Sequence, residues 1–133
     1  MPHATVHRST PTRLALGAGA FLMGALIGSI TTVAHQNIVT VAGIDLPWGM
    51  VLSLIVVAGF LTGLRIVVQD RLIVLLAALG LVGMVFLLSQ QSVGGSVLVP
   101  NNTLGMIWAI APTIIATVVV AWPRLPQRTK ASA

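Results

Sequence analysis

Two apolar stretches joined by a short charged segment decide the fold of this chain. Residues 46–88 read LPWGMVLSLIVVAGFLTGLRIVVQDRLIVLLAALGLVGMVFLL. An apolar run of about 19 residues spans roughly 28 Å as an α-helix, close to the ~30 Å hydrocarbon core of a bilayer. A spanning segment must satisfy its backbone hydrogen bonds internally, because lipid offers no partners. The stretch therefore predicts two transmembrane α-helices that form a tight antiparallel hairpin.

Two further apolar runs lie on either side of this hairpin. The four predicted spans cover residues 14–34, 46–68, 72–88 and 104–122. They predict an all-α membrane protein with four transmembrane helices in an antiparallel bundle. Residues 1–13 and 123–133 are polar and contain proline, so we expect disordered tails there.

The two longer connections predict short extended segments. Each contains a β-branched run bounded by Gly or Pro, at residues 38–41 and 96–99. Such runs are typical of strands, and the two segments could pair with each other as a small cap. A cap for the fourth span is expected from Asn101, Asn102 or Thr103, because such side chains can accept a bond from a free amide at a helix start.

The composition excludes most soluble functions. The chain has 133 residues, of which 56% are hydrophobic and only 7% are charged, and its mean hydropathy is +1.02. A typical soluble domain is about 25% charged. We therefore exclude a soluble enzyme and a nucleic-acid-binding domain, and we expect the lipid bilayer as the partner of most of the surface.

The positive charges predict the orientation of the chain. All seven lie in the two tails or in the join between spans two and three, whereas residues 35–45 and 89–103 contain no Lys or Arg. The seven are Arg8, Arg13, Arg65, Arg71, Arg124, Arg128 and Lys130. Because cytoplasmic loops carry an excess of Lys and Arg, both termini are predicted to be cytoplasmic.

Small residues at helical spacing predict packing faces on three spans. Such stripes let helix backbones approach closely in lipid, where apolar burial alone does not hold helices together. The candidate packing residues are Ala20, Gly24 and Gly28 in span one, Gly59 and Gly63 in span two, and Gly105, Ala109, Thr113 and Thr117 in span four. They could pack within one bundle or against a second protein. Pro112 interrupts span four and predicts a kink.

Tryptophans and charged residues mark the predicted membrane interfaces. Trp48, Trp108 and Trp122 lie near span ends, where the indole ring is favoured, although Trp108 could also be a core residue. Arg65, Asp70 and Arg71 are predicted to form an ion cluster at the inner face. A pair between Arg65 and Asp70 would hold the hairpin together, and the alternative is a role in binding an anion or lipid.

The sequence offers few groups for catalysis or metal binding. There is no Cys or Glu, and the acids are Asp45 and Asp70. His35 and Asp45 could form a weak pair, but a zinc site usually needs three or four ligands. We predict that His35 makes a hydrogen bond at the interface, that the chain binds no metal or cofactor, and that it is not an enzyme.

Several short motifs carry a resemblance to a known family. They are Gly43-x-Asp-Leu-Pro-Trp-Gly49, the run GGSVLVPNN at residues 94–102, and the Gly105 and Trp108 that follow. Over roughly residues 14–122 the chain resembles a family of small uncharacterised four-span membrane proteins of actinobacteria. The resemblance implies a bacterial plasma membrane and brings no activity.

Three functions remain open at this point, and an enzyme that uses His35 or Asp45 is the third and weakest of them. The first is a non-enzymatic structural or accessory subunit, forming a heteromeric membrane complex or a homo-oligomer through its small-residue faces. The second is a small homo-oligomeric channel or transporter. Its path would be lined by Thr and Ser from spans one and four and hinged at Pro112.

Overall fold

The described part of the chain contains four helices and one two-stranded sheet. The structure is a computed structural model and describes residues 9–90, 95 and 99–123. The elements in chain order are α1 (Thr10–Ala34), β1 (Val39–Val41), β2 (Ile44–Leu46), α2 (Trp48–Val67), α3 (Arg71–Ser89) and α4 (Thr103–Ala121). All four helices are long and apolar enough to cross a membrane, which confirms the prediction of four apolar spans.

The helix starts differ from the predicted bounds at two places. Helix α1 begins at Thr10, so the predicted tail of residues 1–13 is too long. Pro11 is tolerated there, because the first turn leaves its amide positions without helical partners in any case. Helix α2 begins at Trp48, because Leu46 belongs to β2. Residues 1–8 and 124–133, predicted as tails, lie outside the described residues.

Side-chain caps fix the starts of α3 and α4. The Asp70 carboxylate accepts a bond of 3.0 Å from the Leu72 amide. The Asn102 side chain accepts one of 2.8 Å from the Gly105 amide, so the cap is one of the three residues predicted for it. Both bonds satisfy an amide that the first helical turn leaves without a backbone acceptor.

A short hairpin follows α1. Strand β1 pairs antiparallel with β2, with Thr40 opposite Asp45. The two turn residues, Ala42 and Gly43, have φ of 52° and 79°, and a two-residue turn of this hand matches the twist of the strands. The predicted strand at residues 38–41 is present, but its partner in the described chain is the segment directly after it. Residues 96–98 lie outside the described residues.

Helix α3 lies at the centre of the packing. It contacts α1 most extensively, and it also contacts α2 and α4. Of the apolar window of α3, 39% is buried inside the molecule, against 22% for each of the other helices. Most of the apolar surface of the described chain therefore faces outward. The fully buried apolar side chains of the core include Val57, Leu61, Val74, Leu81 and Trp108. An apolar exterior around a small core is expected when lipid surrounds the helices.

Two ends of the molecule are defined by contacts between helix termini. At the end that we call the cationic end, Arg13 of α1 pairs with Asp70 before α3, and Arg65 of α2 donates to the Trp122 carbonyl after α4. The opposite end, which we call the hairpin end, holds the β-hairpin. There the Gly49 amide of α2 donates to the Asn37 carbonyl after α1.

Candidate functional site

The first packing face is a seam between α1 and α3 in which the backbones touch. A Cβ added at Gly24 would lie 2.0 Å from the Ala77 carbonyl oxygen, and one at Gly28 would lie 2.6 Å from that of Leu81. From the other side, a Cβ at Gly80 would lie 2.1 Å from the Phe21 oxygen. We call Gly24, Gly28 and Gly80 the closed seam, because only glycine fits at these positions.

The sequence predicts one side of the closed seam and misses the other. Gly24 and Gly28 were expected to pack, and Ala20 lies half-buried one turn away. Their partner helix was not recognised, because Leu, Ile and Val surround Gly80 and give no polar or periodic signal. The two glycines of the apolar span, Gly80 and Gly83, are the available sign.

The second small-residue pair, on α2, has no close neighbour among the described residues. A Cβ at Gly59 or at Gly63 would meet no atom within 4 Å. The flanking Ile55 and Ile66 are also exposed. We call Gly59 and Gly63 the open stripe. The open stripe has the same spacing as the Gly24–Gly28 pair. Its two glycines do not pack against another described helix of the chain.

Helix α4 turns a different face inward from the predicted one. Its buried residues are Gly105, Trp108, Pro112 and Ala116. Three of the residues that we predicted to pack, Ala109, Thr113 and Thr117, are exposed instead. Gly105 is buried against the Pro100 carbonyl of the preceding loop rather than against a helix. As a face for packing within the chain, the predicted stripe of α4 is wrong.

Trp108 explains why α4 is rotated relative to the prediction. The ring is fully buried, and its Nε1–H donates to the Thr32 hydroxyl of α1 at 3.1 Å. It also stacks on His35, with ring centroids 5.1 Å apart and planes 10° apart. Its prediction as an interface anchor is therefore wrong, because partners on another helix draw the ring into the core.

His35 completes this buried polar cluster at the hairpin end. Its Nδ1 is hydrogen-bonded to the Thr32 carbonyl, and its Nε2 lies 2.7 Å from the Gln36 side-chain amide. This network assigns a neutral ring that donates from Nδ1 and accepts at Nε2. Burial lowers the pKa of His35, and the bond to the Thr32 carbonyl opposes this shift in part. Asp45 instead accepts a bond of 2.6 Å from Thr40.

The hydroxyls around this cluster bond mostly to their own helix. Thr31 donates to the Ile27 carbonyl at 2.7 Å, and Thr32 donates to that of Gly28 at 2.6 Å. Ser53 of α2 donates across to the Thr31 carbonyl at 3.2 Å and ties α2 to α1. The cluster is therefore a set of satisfied structural bonds.

The cationic end brings together the predicted ion cluster, with an additional member. The Asp70 carboxylate lies 2.6 Å from Arg13, a residue that the sequence analysis placed in a tail. Arg65 donates to the Trp122 carbonyl at 3.1 Å, and Arg71 lies 3.5 Å from that of Ala121. A direct pair between Arg65 and Asp70 stays a prediction.

The other two tryptophans lie at opposite ends of the molecule. Trp48 is 46% exposed at the hairpin end, and Trp122 is 64% exposed at the cationic end. This placement is the one that interface anchors on two leaflets require.

A groove runs between α3 and α4 on the outer surface. Its volume is about 370 Å³. The α3 wall includes Leu75, Leu79 and Val82, and the α4 wall includes Thr113 and Thr117. Arg71 lines its end at the cationic end of the molecule. The exposed stripe of α4 thus borders a long apolar groove with one basic residue at its mouth.

Known proteins add no further constraint on this site. No family model, curated protein or solved structure matches the chain. The resemblance to four-span actinobacterial proteins therefore stays a prediction. Within residues 9–90, 95 and 99–123, no group of three or more His, Asp or Glu side chains is arranged to hold a metal ion.

Proposed function

We propose that the chain is a multi-pass plasma-membrane protein that acts as a non-enzymatic accessory subunit. Its four helices form an antiparallel bundle, with both termini and the cationic end in the cytoplasm. Support for this orientation comes from Arg13, Arg65 and Arg71, whose contacts all lie at one end. The residues of the hairpin end include no Lys or Arg, and the positive-inside rule assigns that end to the outer side.

The open stripe is the observation that carries the accessory role. The chain uses Gly24, Gly28 and Gly80 to bring two of its own backbones into contact, and it leaves Gly59 and Gly63 with empty space above them. Small residues spaced by four let a second helix approach as closely as α3 approaches α1. We propose that a transmembrane helix of another membrane protein packs on the open stripe.

The test is affinity purification from native membranes in a gentle detergent. The double variant Gly59→Leu, Gly63→Leu fills the stripe with branched side chains, and the matched control is Gly19→Leu on α1, where a Cβ also meets no atom within 4 Å. A stoichiometric partner should copurify with the wild-type chain and with Gly19→Leu. Its recovery should fall more than tenfold with the double variant. Equal recovery with all three would contradict the proposal.

The alternative function, a small homo-oligomeric channel or transporter, has less support. Its path needs a hinge at Pro112 and free hydroxyls along α1 and α4, but Pro112 is buried in the core. The hydroxyls of Ser29, Thr31 and Thr117 each donate to a carbonyl of their own helix. Ion-selective or saturable flux through liposomes containing the purified protein would favour the channel over the accessory subunit.

A further inference from the structure

The groove between α3 and α4 has the dimensions of one leaflet of a bilayer. Along α3 it extends from Arg71 to Val82, which at 1.5 Å per residue is roughly 16 Å. The hydrocarbon core of a bilayer is ~30 Å thick, so this length is about half of it. A groove that starts at the cationic end and stops near the middle of the bundle matches the depth of a single acyl chain.

Small side chains form part of both walls of the groove. On α4, Thr113, Ala116 and Thr117 present small side chains, and Ala78 lies opposite on α3. Larger residues at these positions would fill the space between the two helices. The exposed stripe of α4 therefore leaves room for a slender apolar ligand.

The mouth of the groove carries positive charge. Arg71 lines it and is exposed, and a guanidinium can bind a phosphate through two parallel charge-assisted hydrogen bonds. The nearest acid, Asp70, accepts from Arg13 at 2.6 Å and from the Leu72 amide at 3.0 Å. The described residues of this end include three arginines and one aspartate, so positive charges exceed negative charges by two.

We propose that this groove is a binding site for an anionic phospholipid. One acyl chain lies between α3 and α4 against Leu75, Leu79 and Val82, and the phosphate contacts Arg71. The site belongs to the leaflet at the cationic end. Lipid binding at this site does not require a protein partner. Its test is therefore independent of the test of the accessory role of the open stripe.

The test is lipid titration of the delipidated full-length protein in neutral detergent, followed by native mass spectrometry. Phosphatidylglycerol and phosphatidylcholine with identical acyl chains are compared. The wild-type protein should bind phosphatidylglycerol about fivefold more tightly, which corresponds to the ~1 kcal/mol expected for one cation near an anionic headgroup. Glycerol phosphate, which has the headgroup charge but no chain, should not compete at the same concentrations.

Four variants separate the headgroup contact from the chain contact. Arg71→Gln should reduce the preference below twofold, whereas Arg65→Gln, which borders a different groove, should preserve it. Thr117→Phe should weaken both lipids several-fold by filling the groove, and Ala109→Phe, on the same helix but outside the groove lining, should not. Thermal unfolding of each variant establishes that it is folded. If Thr117→Phe unfolds, Thr113→Leu, which also fills the exposed lining of the groove, replaces it, and the same loss of binding is expected.

Three results of the lipid titrations would overturn the proposal. They are equal affinity of the wild-type protein for the two lipids, an unchanged preference in Arg71→Gln, or unchanged binding in folded Thr117→Phe. Competition by glycerol phosphate would also overturn it, because the affinity would then not depend on the groove.

Discussion

Two pairs of glycines with the same spacing have opposite surroundings in this molecule. Gly24 and Gly28 lie against the backbone of α3, whereas Gly59 and Gly63 have no atom within 4 Å of where a side chain would begin. The motif alone therefore does not say whether a helix face is used inside the chain or left for something else. The difference comes from the neighbour, since α3 brings Gly80 to face α1, whereas none of the four described helices covers that face of α2.

The largest expected effect is on the closed seam. Gly24→Ala would place a Cβ 2.0 Å from the Ala77 carbonyl, and relief requires the two helices to separate. Overpacking of this kind costs about 3 kcal/mol, whereas Gly59→Ala should change the free energy of unfolding by less than about 0.5 kcal/mol. Denaturant titration in detergent micelles would measure both changes in the free energy of unfolding. Equal costs for the two variants would erase the distinction between seam and stripe.

The next effect concerns the buried cluster that joins α4 to the end of α1. Thr32→Val removes the acceptor of the Trp108 Nε1–H, which lies fully buried. An unsatisfied buried donor costs about 1–3 kcal/mol, and we expect about 2 kcal/mol here. Thr31→Val is the matched control, because the Thr31 hydroxyl donates within its own helix. Unfolding free energy and tryptophan emission should both respond to Thr32→Val and neither to the control.

These two effects show what the sequence could and could not predict. The four spans follow from apolar length, and Gly24 and Gly28 follow from spacing, because both signals are local. The partner of the seam could not be predicted, because α3 is uniformly aliphatic and lipid-facing and core-facing positions look alike in such a helix. Trp108 was placed wrongly for a related reason: its position near a helix end favours the interface, and its burial depends on His35 from a distant segment.

The β-hairpin and the cationic end could be predicted from the sequence only in part. The strand at residues 38–41 is predicted, but β2 is not, because Asp45 counts as part of the connection and Leu46 as the start of span two. No turn is predicted at Ala42–Gly43. Arg13 was assigned to a tail, because the polar residues before Leu14 resemble a linker more than a helix start. Its contact with Asp70 appears only once α1 and α3 are placed side by side.

A smaller effect on stability is expected at Asp70, which caps the start of α3 at the cationic end. Asp70→Ala removes the cap of α3, and the loss of such a cap costs about 1 kcal/mol. Asp70→Asn keeps an acceptor for the Leu72 amide but removes the charge that faces Arg13. Denaturant titration should therefore rank Asp70→Asn between the wild-type protein and Asp70→Ala. An Asp70→Asn variant as unstable as Asp70→Ala would show that the charge, and not the cap, matters.

The smallest effect is a dependence of stability on pH through His35. Burial lowers its pKa in the folded protein below the ordinary value of 6.5, so the unfolded chain takes up the proton first. Protonation would also place an N–H at Nε2 against the Gln36 amide. Stability should be complete above pH 6.5 and fall as the pH is lowered toward 5. The slope should be smaller in His35→Gln, and equal slopes for both proteins would contradict the assignment.

The most direct test of the central claim is a nuclear Overhauser measurement on the detergent-solubilised protein labelled at glycine. We expect cross-peaks from the Gly24 and Gly28 Hα protons to Ala77 and Leu81 of the same chain, and none from Gly59 or Gly63 to another described helix of that chain. Mixed samples of labelled and unlabelled protein distinguish contacts within one chain from contacts between copies. Missing cross-peaks at Gly24, or contacts within one chain at Gly59, would contradict it.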